Sequence, residues 1–173
     1  MIIFKKGDLF KSRCDTLVNT VNINGIMGKG VALQFKNKYP DMYKEYKKVC
    51  SGKTYKGYGK LKEGGDLWLY SNTDMFDNHK ILCFATKENW WNKSKIEWIE
   101  RGLQTLTKYW ELKDESPYKD TTNSFYFYEL MNIKSIAWPK LGCTNGKLDW
   151  EKEVKPLMIK YLEPLDIINE IYE

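Results

Sequence analysis

The chain has 173 residues, and its 28 Lys and Arg against 23 Asp and Glu give a formal net charge of +5. That charge is too mild for a dedicated nucleic-acid arm, although it permits a polyanionic ligand. Four widely spaced cysteines indicate neither a zinc site nor a disulfide framework, and no apolar run reaches the ~20 residues that cross a bilayer. We therefore expect one cytoplasmic, monomeric domain over residues 1–173, with no metal ion, cofactor or membrane contact.

Six short apolar or β-branched runs predict strands, and their continuous hydrophobicity is typical of a sheet covered on both faces. They lie at residues 1–4, 15–22, 66–70, 80–85, 134–139 and 166–172. Helices are predicted between them at residues 30–38, 40–49, 94–110 and 149–162. Ser94 and Glu97 resemble a capping box at the start of the third helix. The alternation predicts an α/β sandwich with a mixed sheet.

Three segments are less regular. Residues 53–65 are rich in Gly, Lys and Tyr and predict a loop or hairpin, whereas residues 113–123 form a polar connection. Residues 124–131 suit a strand by composition and a helix by context, and we favour a helix because a strand follows.

A glycine-rich loop between a buried strand and a helix is the most informative feature. Three glycines there allow the backbone to approach a ligand closely: Gly25, Gly28 and Gly30. The backbone amides of Lys29, Gly30 and Val31 would face an anion at the positive end of the helix dipole. This order of elements predicts a phosphate or nucleotide site.

Two other strands also end in polar loops, at the sheet edge where open α/β sheets bind ligands. Residues 83–87 run from a buried strand to Lys87, and Trp90 and Trp91 follow among polar residues. Residues 137–150 form a second glycine loop before a helix. Two such loops indicate a diphosphate held from two sides, although neither is a Walker A or GxGxxG motif.

Each signal has a plainer structural explanation. A glycine loop can be a simple connector, and the tryptophans can be partly buried packing residues instead of surfaces that stack on bases. Asn19 and Asn22 can cap the loop backbone through their side-chain amides. The combination, in this order, is more specific than any one part.

Taken together, these segments resemble the macrodomains, a family of ADP-ribose-binding modules. The landmarks are Gly7-Asp8-Leu9, residues 18–22, the Gly28-Lys29-Gly30 loop and Leu141-Gly142-Cys143. The likeness to the DarG-type antitoxin macrodomains is closer still, and it rests on residues 18–36, Tyr39-Pro40, residues 84–87, Trp90, Lys93-Ser94, residues 99–103 and residues 142–150. The likeness spans nearly the whole chain.

The resemblance implies a three-layer α/β/α fold that binds ADP-ribose at the strand ends. It implies that Asp8, beside Leu9, accepts a hydrogen bond from the adenine amino group, and that Asn22 holds the distal ribose. Backbone amides would surround the diphosphate, and Thr86 would precede the reactive Lys87. The amide-bearing residues are Gly28, Lys29, Gly30, Val31, Gly142, Cys143, Thr144, Asn145, Gly146 and Lys147.

The resemblance also implies an activity. DarG-type enzymes remove ADP-ribose from thymidine in DNA and reverse the partner toxin DarT, and the human terminal ADP-ribose protein glycohydrolase uses a lysine that matches Lys87. Lys87 would act as a neutral amine that attacks the anomeric carbon, or as an ammonium that orients and donates. We expect Lys87 and Asn22 to be catalytic, because the acid of the human enzyme is replaced here by Gly146, and Asp149 suits a helix cap.

The expected function is therefore an ADP-ribosyl glycohydrolase acting on ADP-ribosylated DNA, with Lys29, Lys93 and Lys147 as candidate phosphate contacts. Alternatives that use the same pocket are removal of ADP-ribose from Glu or Asp of proteins and hydrolysis of ADP-ribose-1″-phosphate. A reader that binds ADP-ribose without cleaving it is a third possibility. DarG proteins carry a second, toxin-binding domain, for which this sequence is too short, so a stand-alone hydrolase or a truncated chain is expected.

Overall fold

The computed structural model describes residues 1–111 and 132–173, so the segments 113–123 and 124–131 lie outside the described residues. The strands are β1 (Ile2–Lys5), β2 (Thr16–Val21), β3 (Tyr58–Gly59), β4 (Leu67–Ser71), β5 (Lys80–Ala85), β6 (Ser135–Pro139) and β7 (Ile168–Tyr172). The α-helices are α1 (Gly30–Lys38), α2 (Pro40–Ser51), α3 (Ile96–Glu111) and α4 (Lys155–Leu162). A 3₁₀ turn spans Leu9–Lys11, and a π-helical turn, Trp150–Val154, leads into α4.

Each of the six predicted strands and four predicted helices occurs at its expected place, and residues 53–65 form a hairpin arm that contains β3. The predicted capping box is wrong. Helix α3 begins at Ile96, two residues after Ser94, and the Ser94 hydroxyl has no hydrogen-bond partner within the described ranges. The Ser94 amide instead donates to the carbonyl of Gly146 at 2.9 Å, because residue 94 supports the second glycine loop. Asp149 does cap the turn that follows it, by accepting from the Lys152 amide.

The sheet is mixed, as predicted, with strand order β1-β7-β6-β2-β5-β4-β3. The first five strands in that order are parallel, and β4 and β3 are antiparallel to their neighbours. In the parallel part Val21 is level with Ala85, and Pro139 is level with Tyr172. The carboxyl ends of four neighbouring parallel strands, β7, β6, β2 and β5, therefore lie at the same edge of the sheet.

Alternation along each strand sends side chains into two cores. Val18 and Phe84 face α3 and α4, where Leu103 and Met158 complete the packing. The other face carries Leu17, Ile81 and Cys83, which pack against buried residues of α1 and α2: Phe35, Met42, Tyr46 and Val49. Because both faces of the sheet are covered by helices, the fold is the expected three-layer α/β/α sandwich. No helix in the described ranges is long and apolar enough to cross a membrane.

Candidate functional site

A cavity of about 560 Å³ opens at the edge where the parallel strands end. Its walls come from the two glycine loops, from the segment after β5 and from the ends of β6 and β7. The residues that line it are Thr20, Val21, Asn22, Ile26, Gly28, Lys29, Gly30, Val31, Ala32, Thr86, Lys87, Trp90, Trp91, Pro139, Lys140, Gly142, Cys143, Thr144, Asn145, Gly146 and Tyr172.

The first wall is the N-terminus of α1. The helix begins at Gly30, whose φ of +59° favours glycine, and its N-cap residue, Lys29, makes no side-chain capping hydrogen bond. The first-turn amides are thus left for an outside acceptor, and the helix dipole favours that acceptor being an anion. A methyl group on Gly30 would lie 2.7 Å from Asn145 Nδ2, so the two glycine loops meet across the cavity with no room for a side chain.

The second wall is the turn after β6. Gly142 has φ +68°, and its carbonyl accepts from the Leu148 amide at 3.1 Å, which closes the loop. A Cβ on Gly146 would lie 2.2 Å from both the Gly142 oxygen and Ser94 Oγ, so position 146 accepts only glycine in this conformation. Lys147 has φ +66°, the only positive φ of a non-glycine residue in the described parts of the chain.

Lys87 connects the β5 end to this second loop. Its ammonium donates a hydrogen bond to the backbone oxygen of Asn145 at 2.6 Å. Burial lowers the pKa of Lys87, and the neighbouring charge of Lys147 lowers it further. A lysine with a lowered pKa in a cavity is a candidate nucleophile, because its neutral form is more populated than that of an exposed lysine.

Asn22 also lines the cavity, but its side-chain amide already makes most of its possible hydrogen bonds within the protein. Its Oδ1 accepts from the Asn24 amide at 2.9 Å and from the Tyr46 hydroxyl at 3.0 Å, and its Nδ2 donates to the Ile26 oxygen at 2.7 Å. The loop-capping explanation is therefore confirmed for Asn22, while one N–H remains for a ligand. Asn19 differs, because its Nδ2 faces only two sulfur atoms in the core.

Two aromatic groups stand at the cavity wall. Trp90 and Trp91 are 50% and 63% exposed, and their rings meet edge to face at 5.4 Å. On the other side lies Tyr172, whose hydroxyl donates to Glu170 at 3.0 Å. Sequence reasoning missed Tyr172 and Lys140. The pairing of Pro139 with Tyr172 explains both, since neighbouring parallel strands end side by side.

Three expected ligand residues are not part of the cavity lining. Asp8 is exposed and caps the 3₁₀ turn by accepting from the Phe10 amide at 3.0 Å, and Leu9 is buried in the core beside α1 and α2. Lys147 belongs to the second loop, but it is exposed and does not line the cavity. Cys143 does line the cavity, but burial raises the pKa of its thiol to about 11, so the thiol stays protonated at neutral pH.

The chain is thus an α/β/α sandwich with a cavity between two glycine loops, at the carboxyl ends of parallel strands, which is where open α/β sheets bind ligands. The chain belongs to the Macro domain family, which it matches over residues 18–157.

Relatives agree with this assignment. The chain is 35% identical over 173 residues to the DNA ADP-ribosyl glycohydrolase of Mycobacterium tuberculosis, covering 99% of this chain and 42% of that protein. The solved macrodomain of Thermus aquaticus DarG has 34% identity and a TM-score of 0.76, with 100% of this chain and 98% of that chain covered. The structure of Thermosipho africanus DarTG in complex with ADP-ribose has 34% identity and a TM-score of 0.77, with 99% and 41% covered. The chain thus spans about two-fifths of the length of the DNA ADP-ribosyl glycohydrolases that it matches.

Proposed function

We propose that this chain is an ADP-ribosyl glycohydrolase that removes ADP-ribose from thymidine in DNA. The observation that carries the proposal is the Lys87 amine, held within the cavity between two amide-lined loops. The names of the similar proteins, DNA ADP-ribosyl glycohydrolase and DarTG in complex with ADP-ribose, support both the ligand and the reaction.

The cavity suits the parts of ADP-ribose. The diphosphate would lie between the amides at the start of α1 and those of residues 142–147, which together supply donors and a favourable dipole. The Tyr172 ring offers a face for adenine, with Asp8 as an acceptor for the adenine amino group. The distal ribose would then reach Asn22 and Lys87.

In the reaction we propose, the neutral Lys87 amine attacks the anomeric carbon of the distal ribose. The bond from that carbon to the thymine nitrogen breaks, and the proton that Nζ loses on forming its new bond passes through a water to the released thymine nitrogen. The new bond between Nζ and the carbon is then hydrolysed by a second water, which releases ADP-ribose and restores the amine. The lowered pKa of Lys87 supports this role, because burial and Lys147 both favour the neutral form.

The chain must act without an acid at position 146. The resemblance implies that the human relative has an acidic residue at the corresponding position. In this chain any side chain at position 146 would clash with the Gly142 oxygen and Ser94. Asp149 does not replace it, because its carboxylate is committed to capping the Lys152 amide. This supports Lys87 as the principal reactive group, with Asn22 holding the sugar.

The rim of the cavity supports DNA as the carrier of the ADP-ribose. Trp90 and Trp91 are exposed beside the cavity, where aromatic rings can stack on neighbouring bases. Lys29 lines the cavity, Lys93 and Lys147 belong to chain segments that follow lining residues, and all three are exposed and can contact phosphates. A DarT-type toxin that attaches ADP-ribose to DNA would be the functional counterpart.

The test compares wild type with Lys87→Ala on two substrates, an oligonucleotide carrying ADP-ribosyl-thymidine and an ADP-ribosylated glutamate peptide. Lys108→Ala is the matched control, because Lys108 is exposed on α3 and does not line the cavity. We expect wild type and the control to release ADP-ribose from DNA, and Lys87→Ala to bind ADP-ribose with little or no release.

Other outcomes would select another function. Release from the peptide alone would replace DNA by protein as the substrate. Cleavage of ADP-ribose-1″-phosphate alone would indicate a phosphatase. Binding by wild type without release from any substrate would leave a reader of ADP-ribose.

A further inference from the structure

The net positive charge of this chain comes from one stretch. Residues 36–62 contain nine lysines and two carboxylates, a net charge of +7, whereas the whole chain has +5. The remaining residues are therefore net negative by two. This stretch forms the end of α1, all of α2 and the arm that leads to β4, so the charge is gathered on two neighbouring helices and the arm that follows them.

Several of these lysines are not neutralised locally. Lys38, Lys44, Lys48 and Lys60 each pair with a carboxylate. Within the part of the chain that the structure describes, the five others have no carboxylate within 4.0 Å of the ammonium: Lys36, Lys47, Lys53, Lys56 and Lys62. Unpaired cations at the surface leave a positive field for an outside anion.

Two of these lysines and Tyr43 begin a path beside the first glycine loop. The Lys47 stem packs beside Gly25 of the first glycine loop, where a Cβ would meet Lys47 Cγ at 3.6 Å. Lys36 and Lys47 lie 4.8 and 5.0 Å from the centroid of the Tyr43 ring, and the Tyr43 hydroxyl donates to the Gly25 oxygen at 3.4 Å.

The path continues beyond α2. Gly52 ends that helix, a Cβ on it would lie 3.0 Å from Lys62 Nζ, and Lys53 is the next residue. We call this surface, made by Lys36, Tyr43, Lys47, Lys53 and Lys62, the lysine path.

We propose that the lysine path binds the phosphate backbone of the DNA strand that flanks the ADP-ribosylated nucleotide. This inference rests on the proposed function. The modified nucleotide must leave the base stack to enter the cavity, which is least costly in a single strand. A single strand is bound by cations that follow its backbone together with aromatic rings, and the path supplies this combination next to the first glycine loop.

The experiment uses the intact chain and the triple variant Lys36→Gln, Lys47→Gln and Lys62→Gln. The control is Lys108→Gln, Lys134→Gln and Lys152→Gln, which removes the same charge from exposed positions elsewhere. Affinity for an unmodified, fluorescent single-stranded oligonucleotide is measured over a range of salt concentrations. We expect the path variant to bind about tenfold more weakly or worse, with a salt slope reduced by about 2, since each lost phosphate contact contributes roughly 0.7.

Two further measurements keep the outcomes separate. Release of ADP-ribose from ADP-ribosyl-thymidine mononucleotide, which is too short to reach the path, should be unchanged in the path variant. Replacing the same three lysines by Arg should restore oligonucleotide binding, which a folding defect would not allow. Equal weakening by both Gln variants, or an unchanged salt slope, would overturn the proposal. If wild type releases ADP-ribose from no DNA substrate, the proposed function fails, while the oligonucleotide measurement still decides whether the path binds DNA.

Discussion

A single carboxylate at the sheet edge opposite the cavity should account for a measurable share of the stability. Asp77 lies in the connection from β4 to β5, and its Oδ2 accepts from the Tyr39 hydroxyl at 2.9 Å and pairs with Lys38 at 3.2 Å. Its Oδ1 lies 2.5 Å from His79 Nδ1. Because Tyr39 separates α1 from α2, this cluster ties both helices to the sheet edge.

The size of the effect follows from the pKa of this group. Burial by itself would raise the pKa of Asp77, but hydrogen bonds from His79, Tyr39 and Lys38 outweigh it and lower the pKa from 3.8 to about 2. At 1.36 kcal/mol per pKa unit, the ionised carboxylate contributes about 2 kcal/mol to folding. This contribution to stability is complete above pH 3.8, which is the pKa of the carboxyl in the unfolded chain, and it is lost as the pH falls through about 2.

Asp77→Asn removes the charge and keeps the shape. We expect its free energy of unfolding at pH 7 to be about 2 kcal/mol below that of wild type, and the difference to shrink to about 1.3 kcal/mol at pH 3. Equilibrium urea unfolding, followed by tryptophan fluorescence, measures both. Asp41→Asn is the control, because Asp41 pairs with Lys44 on the surface with a side chain 76% exposed, and should change stability little. A loss that is the same at pH 7 and pH 3, or that matches the control, would refute the reasoning.

Two other predictions concern the cavity. Gly30→Ala should weaken ADP-ribose binding in calorimetry by at least about tenfold, since its Cβ would meet Asn145 at 2.7 Å at a φ of +59°. Gly28→Ala should reduce the affinity for ADP-ribose less, because the atom nearest to its Cβ would lie 3.8 Å away. Equal losses of affinity in the two variants would contradict this account. The single-turnover rate of ADP-ribose release should rise with pH to an inflection below 10.5, the ordinary pKa of lysine. Lys147→Gln should move that inflection to higher pH by removing a repulsive charge from Lys87, and a shift to lower pH would exclude the neutral amine as the reactive form.

Much of the fold could be predicted because its signals are local. Helix α1 begins and ends where the sequence predicts, since Gly30 starts it and Pro40 begins the next helix. Strand β5 was also predicted correctly, because a buried strand in a parallel sheet is a continuous apolar run in the sequence. The capping box failed for the opposite reason. Whether Ser94 caps α3 depends on the distant loop at Gly146, which takes its amide.

The sequence by itself determined that two glycine loops and a lysine follow parallel strands, because hydrophobic periodicity and glycine spacing are written in neighbouring residues. Only the tertiary structure decided which groups meet. Lys87 contacts Asn145, which lies 58 positions later in the chain, and Gly30 meets the same residue across 115 positions. Tyr172 joins the cavity through a strand register that no local pattern contains. Contacts at such separations depend on sheet order and close packing, which the chain acquires only when all its layers assemble.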